Sequence, residues 1–175
     1  MIFCLLVTQM PVTGAKAGER DSLTTVPTGY TAIRTPEELR DVDGNLNGKY
    51  ILMNDIDLSE ATSAGGTLDS GNGWKPIEGF RGILNGNGYQ IKGLHQFGNA
   101  GEANNYNAGL FADISGAQIK NLGLTDCSIT AQEIGFYAGV LVGNAENSTI
   151  SNCYTTGVME IKSSDNRESV SAGGI

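Results

Sequence analysis

One wording recurs along this chain. The segment YAGVLVGNAENSTISNCYTTG, Tyr137 to Gly157, restates NAGLFADISGAQIKNLGLTD, Asn107 to Asp126. Each copy runs Ala-Gly, large apolar residues, a polar turn and then Ile-x-Asn. IKGL, IKNL and ISNC begin at Ile91, Ile119 and Ile150, at steps of 28 and 31 residues. Ala108-Gly109, Ala138-Gly139 and Ala172-Gly173 recur at steps of 30 and 34. A period of roughly 20–50 residues marks an architecture of stacked repeats.

The repeat also states where the chain bends. Ile91, Ile119 and Ile150 are apolar, and so are Leu94, Leu122 and Cys153 three positions on. Side chains alternate along a strand, so positions three apart face opposite sides unless the chain turns between them. Gly93, Asn121 and Asn152 precede the second set, and these residue types tolerate a left-handed corner. Phe111, Leu141 and Ile175 form a further column of large residues. Short strands, Gly or Asn corners and apolar columns predict an all-β fold, a parallel β-helix in which identical columns stack into one core. Helical repeats would need 3.6-residue periodicity, and nothing after residue 50 shows it. A β-sandwich also has short strands but supplies no reason for a common period.

Composition agrees. The chain has 175 residues, 25 of them Gly, and only 17% charged, which suits many tight turns and few helices. A net charge of −8 with 11 scattered Lys and Arg gives no basic stripe for nucleic acid or an anionic membrane. No apolar run reaches the ~20 residues of a membrane span. Cys4, Cys127 and Cys153 lack C-x-x-C spacing, so Cys127 and Cys153 read as small core residues rather than a bridge or a zinc site.

At the start, IFCLLV resembles the apolar core of a signal peptide and Ala15-Lys16-Ala17 a cleavage site. No positive charge precedes that core, so a secretion leader and an ordinary tail both stand. Residues 1–29 are therefore expected to hold a signal-like leader or an ordinary tail, followed by a polar linker. In YTAIRTPEELRDV, residues 30–42, Thr35 fits a helix cap, Pro36 the first turn and Glu38 a capping box. Residues 30–49 are thus expected to form a capping helix and turn, covering the solenoid's first edge. KYILMNDIDLS then opens the β-helix, residues 50–175, truncated in its last coil at SAGGI.

These blocks, in the order TPEEL, GKYILMNDIDLS, GWKPIEGFRGILNGNGYQIKGL, NAGLFADISGAQIKNLGLTD and YAGVLVGNAENSTISNCYTTG, resemble the GLUG-motif repeat family over about residues 30–175. The resemblance implies a right-handed parallel β-helix of the kind found in large bacterial secreted or surface proteins, adhesin-like proteins among them. It does not imply a catalytic site within the repeats; no cofactor and no metal is expected.

Five candidate features are weighed against scaffold roles. Asp55 and Asp57, two apart in a strand, suit an acid–base pair of a polysaccharide lyase or glycosidase, or the bonding of turn backbone. Asp43, Asn45, Asn47 and Gly48 match half of a calcium loop, but its twelfth position is Asn54 where a bidentate Glu is needed. His95 is the only histidine, without a nucleophile motif beside it. Thr155-Thr156 extends no threonine ladder, since its register partners are Leu124 and Thr125. Trp74, Tyr89, Tyr106, Tyr137 and Tyr154 offer aromatic faces to a glycan, with Trp74 and Tyr89 expected in the first coils.

The expected function is a non-enzymatic extracellular scaffold or adhesion module, secreted or on the cell surface. It would bind a host or glycan ligand through loops around residues 60–73, 98–106 and 161–170. The alternative is a carbohydrate-active enzyme using Asp55 and Asp57. An unpaired last coil predicts end-to-end self-association or a missing C-terminal segment.

Overall fold

The computed structural model describes residues 22–99, 107–132, 137–162 and 171–173, and these form a parallel β-solenoid of about three turns. Its lead-in is strand β1 (Thr31–Ile33), helix α1 (Pro36–Arg40) and a 3-10 turn at Asp41–Gly44. The first coil holds β2 (Lys49–Leu52) and β3 (Ile56–Asp57). The second holds β4 (Ile83–Asn85), β5 (Gln90–Lys92), β6 (His95–Asn99) and β7 (Phe111–Ser115). The third holds β8 (Gln118–Lys120), β9 (Gly123–Gln132), β10 (Tyr137–Gly139) and β11 (Val142–Glu146), and the last β12 (Thr149–Ser151), β13 (Tyr154–Lys162) and β14 (Ser171–Gly173).

Each coil lays its strands on those of the coil before. One sheet runs β1-β2-β4-β8-β12 and a second β13-β9-β5-β3, with β6 also paired to β9. The pairs β7–β11 and β10–β14 complete the wall, and every strand pairing is parallel. The interior is a set of stacked apolar columns. Tyr50, Leu84, Ile119 and Ile150 align in the first sheet, and Ile56, Ile91, Leu124 and Thr155 in the second. Phe80 and Phe111 meet at 4.9 Å between ring centroids on the third side. Fully burying one such side chain is worth about 1.5–3 kcal/mol, so the columns are the main source of stability.

The expected isoleucine spine is half right. Ile119 pairs with Ile150, but Ile91 belongs to the second sheet and pairs with Ile56 and Leu124. Leu84 takes its place, so the true steps are 35 residues from Leu84 to Ile119 and 31 from Ile119 to Ile150. Leu94 likewise sits beside Cys127, whose neighbour Ser128 donates to the Leu94 carbonyl, while Leu122 sits beside Cys153. The cause is that IKGL spans the corner after β5 and IKNL the corner after β8, so the like wordings lie one corner apart, and the corner GNGY, residues 86–89, adds two residues over Asn121-Leu122 at the equivalent turn. Phe111 pairs with Val142 rather than Leu141, and Ile175 lies outside the described residues. The Ala-Gly columns are as expected: Ala108 bridges to Ala138, and Ala138 and Gly139 pair with Ala172 and Gly173.

The left-handed corners are also present. Gly93, Asn121 and Asn152 have φ of 63°, 54° and 52°. The helix is shorter than residues 30–42, because Thr31–Ile33 joins the first sheet as an edge strand. Thr35 Oγ1 accepts from the Glu38 N–H, and the Glu38 carboxylate accepts from the Arg34 N–H at 2.6 Å, one residue earlier than in a standard box. Leu39 and Val42 are buried against the core, so helix and turn close its first end.

Candidate functional site

The two carboxylates offered for catalysis are held by turns. Asp55 Oδ1 accepts from the Gln90 N–H at 3.0 Å, tying the first coil to the second. Asp57 Oδ1 accepts from the Ser59 N–H at 2.9 Å. The Ser59 hydroxyl and N–H hold the Asp57 carboxyl below its ordinary pKa, with Lys92 adding to the effect. A general acid needs a raised value, so the shift runs against that role for Asp57.

The half calcium loop does not converge. Asp43 pairs with Arg40, Asn45 Oδ1 accepts from the Asn47 N–H, and the Asn54 amide donates to the carbonyls of Arg34 and Asp55. Among the described residues no group of three or more His, Cys, Asp or Glu gathers as metal ligands do. Cys127 and Cys153 are free thiols; burial pushes Cys127 up to about 11 and raises Cys153 as well.

Trp74 is buried as expected. Its indole N–H donates to the Leu110 carbonyl, and the Arg40 guanidinium lies 4.5 Å from the ring, joining helix to coil. Tyr89 packs partly buried against the core, and Tyr106 lies outside the described residues. Tyr137 and Tyr154 are about half exposed but begin strands of different sheets. The Tyr154 ring lies over Gly123, where a Cβ would come within 2.5 Å of it. Thr155 does pair with Leu124, so no threonine ladder forms.

Residues 60–73 are not a free recognition loop. Asp69 accepts from the N–H groups of Gly65, Gly71 and Gly73, and Thr62 is fully buried, donating to the Leu58 carbonyl and accepting from His95 N–H. Gly73 bridges antiparallel to Gln96, so the loop seals the first edge of β6. The loops around 98–106 and 161–170 lie largely outside the described residues.

Two features escaped the sequence reading. The first is a chain of amides along one corner: Asn152 Nδ2 donates to Asn121 Oδ1 and Asn121 Nδ2 to Asn85 Oδ1, each at 3.2 Å. Beside it, buried Asn87 clamps the backbone of Leu23, accepting from its N–H at 2.7 Å and donating to its carbonyl at 3.0 Å. A cleft of about 250 Å³ lined by Ser22, Asn87, Gly88 and Asn121 adjoins this clamp. The run NGNG at 85–88 was the available signal.

The second is the outer face of the second sheet. Gln96, Ile129 and Met159 point inward, so the alternating residues of β6, β9 and β13 point out. They form two rows in register, His95-Ser128-Val158 and Phe97-Thr130-Glu160. Phe97 is 47% exposed and Val158 67%, and His95 braces Phe97 edge-on at 4.6 Å. An aromatic face beside aligned hydroxyls is a surface a flat polar ligand can use.

No family model matches the chain, and no solved structure matches it. A stretch of 115 residues is 35% identical to part of a protein named Halomucin from Haloquadratum walsbyi. The match takes in 65% of this chain and 1% of that protein, so the chain spans about one hundredth of the curated relative it resembles. No described helix is long and apolar enough to cross a membrane.

Proposed function

We propose that this solenoid is a non-enzymatic scaffold module of a secreted or surface protein, with repeats of the GLUG class and an adhesive role. The observation that carries this reading is where its polar side chains go. Asp55, Asp57, Asp69, Asn54 and Asn87 bond turn or edge backbone, which is scaffold work. The outer face around Phe97, Ser128 and Thr130 is a contact surface among the described residues, and a glycan suits its aromatic and hydroxyl mixture. Likeness to 1% of a relative supports a module used within a much longer chain. Association of coil ends with one another belongs to the same reading.

The test is binding and turnover on one panel of uronate and neutral polysaccharides. Retention without turnover, weakened about tenfold or more by Phe97→Ala, is the expected result. Turnover that disappears in Asp57→Asn would establish the carbohydrate-active alternative instead.

A further inference from the structure

Several asparagines of this solenoid spend their side chains on backbone or on one another. Asn85, Asn121 and Asn152 form the corner ladder, Asn87 clamps Leu23, and Asn54 holds Arg34 and Asp55. Asn147 does neither. It stands exposed between β11 and β12, and its amide makes no hydrogen bond among the described residues. It also opens Asn147-Ser148-Thr149, the one Asn-x-Ser/Thr triplet in the sequence. Such a triplet on an exposed turn is the acceptor pattern for N-linked sugar.

The corner keeps this triplet presented. Glu146 pairs with Ser115 and Thr149 with Gln118, so Asn147 stands over Gly116 of the coil before. Both have left-handed backbone, with φ of 48° and 67°, so their Cβ directions agree. Gly116 has coils on both sides, since beneath it Phe80 bridges to Ile114 and Ile83 pairs with Gln118. Even so, nothing lies within 4 Å of a Cβ built at Gly116. A side chain at this corner therefore points away from the stack, whatever coil lies above or below it. Ser148 Oγ donates to the Glu146 carbonyl at 2.7 Å and accepts from the Ala117 N–H at 3.1 Å, which fixes the turn. Thr149 is exposed and alternates with the inward Ile150, so its hydroxyl faces outward.

We propose that Asn147 is an N-glycosylation site, taking an oligosaccharide from a lipid-phosphate-linked donor, with Thr149 supplying the hydroxyl that the transferase reads. This rests on the secreted or surface reading above, because the modification belongs to exported chains. In the transfer, Asn147 Nδ2 bonds to the anomeric carbon of the sugar and the anomeric C–O bond breaks. Its electron pair leaves with the lipid phosphate, and one Nδ2 proton passes to a base of the transferase. The amide stays neutral, and no side-chain hydrogen bond of the corner has to break. The sugar lies between the β7–β11 wall and the first sheet, so the Phe97 face on the second sheet stays uncovered.

The experiment is secretion of the intact chain behind a cleavable leader in a eukaryotic host, followed by peptide mapping with and without peptide N-glycosidase. The expected result is a single glycan on the peptide that holds position 147, released by the glycosidase with Asn147 converted to aspartate. Asn147→Gln and Thr149→Ala should each lose it completely, and Thr149→Ser should keep it. Thr149→Ala leaves asparagine at the left-handed corner, so its circular dichroism should match the parent. An exported chain with bare Asn147, or a glycan that persists in Thr149→Ala, overturns the proposal. The leader supplies export, so that failure leaves the secreted reading standing. Confinement of the protein to the interior of its native cells would overturn that reading, and this proposal with it.

Discussion

Gly109→Ala is the sharpest perturbation of coil stacking. A Cβ built at Gly109 lies 2.3 Å from the Gly139 carbonyl oxygen on the next coil, against 3.4–4 Å for ordinary contact. Gly109 also has φ of +146°, where side-chain-bearing residues rarely sit. The backbone term costs of order 1–3 kcal/mol. Pushing a methyl into a packed interface costs about 1–3 kcal/mol more. Together these give roughly 2–6 kcal/mol. Gly116→Ala is the control: φ is +67°, yet nothing lies within 4 Å of its Cβ, so only about 1–2 kcal/mol of left-handed strain applies. Urea unfolding followed by circular dichroism separates the two. With a slope near ~2 kcal/mol per molar, Gly109→Ala should lower the midpoint by about 2 M and Gly116→Ala by under ~1 M. Equal midpoints, or a larger loss for Gly116→Ala, would refute close coil contact at the Ala-Gly column.

Ile119→Ala should cost about 2–5 kcal/mol in the same assay, and Ile150→Ala clearly less, because the second side chain is only half-buried. On acidification, Asp57 and Asp69 have folded pKa values below their ordinary ones, the first through Ser59, the second through the N–H groups of Gly65 and Gly73. The stability they contribute is therefore full above the ordinary carboxylate range and is lost as pH falls through the folded values. Asp69→Asn should lower the neutral plateau of a stability–pH curve and flatten its acid limb, changing stability least at acid pH, where Asp69 is already protonated. In a Cys4→Ser background, a thiol reagent at pH 8 should label Cys153 before Cys127, whose thiol is 2% exposed and raised to about 11. Simultaneous labelling would contradict the burial gradient between coils.

The fold was legible in the sequence because corners and columns leave marks that need no partner to read. Gly93, Asn121 and Asn152 announce left-handed bends, and Ala-Gly announces close contact. The registration of Ile91 failed for a physical reason. Apolar-x-Gly/Asn-apolar encodes any corner between strands, so the corner after β5 and the corner after β8 read alike although they lie on different sides of the coil. Only the longer GNGY turn distinguishes them. Asp55 and Asp57 bond the backbone N–H groups of Gln90 and Ser59, one of the uses weighed for them in the sequence. The rows through Phe97 and Val158 could not be seen, because their residues come from three coils whose offsets require the register first.

Parallel in-register stacking is tested most directly by backbone nuclear Overhauser contacts across the first sheet. Amide-to-Hα contacts of the parallel pattern should link Leu84 with Ile119 and Ile119 with Ile150, while Ile91 shows its contacts to Ile56 and Leu124. Antiparallel contacts, or Ile91 adjacent to Ile119, would contradict the account.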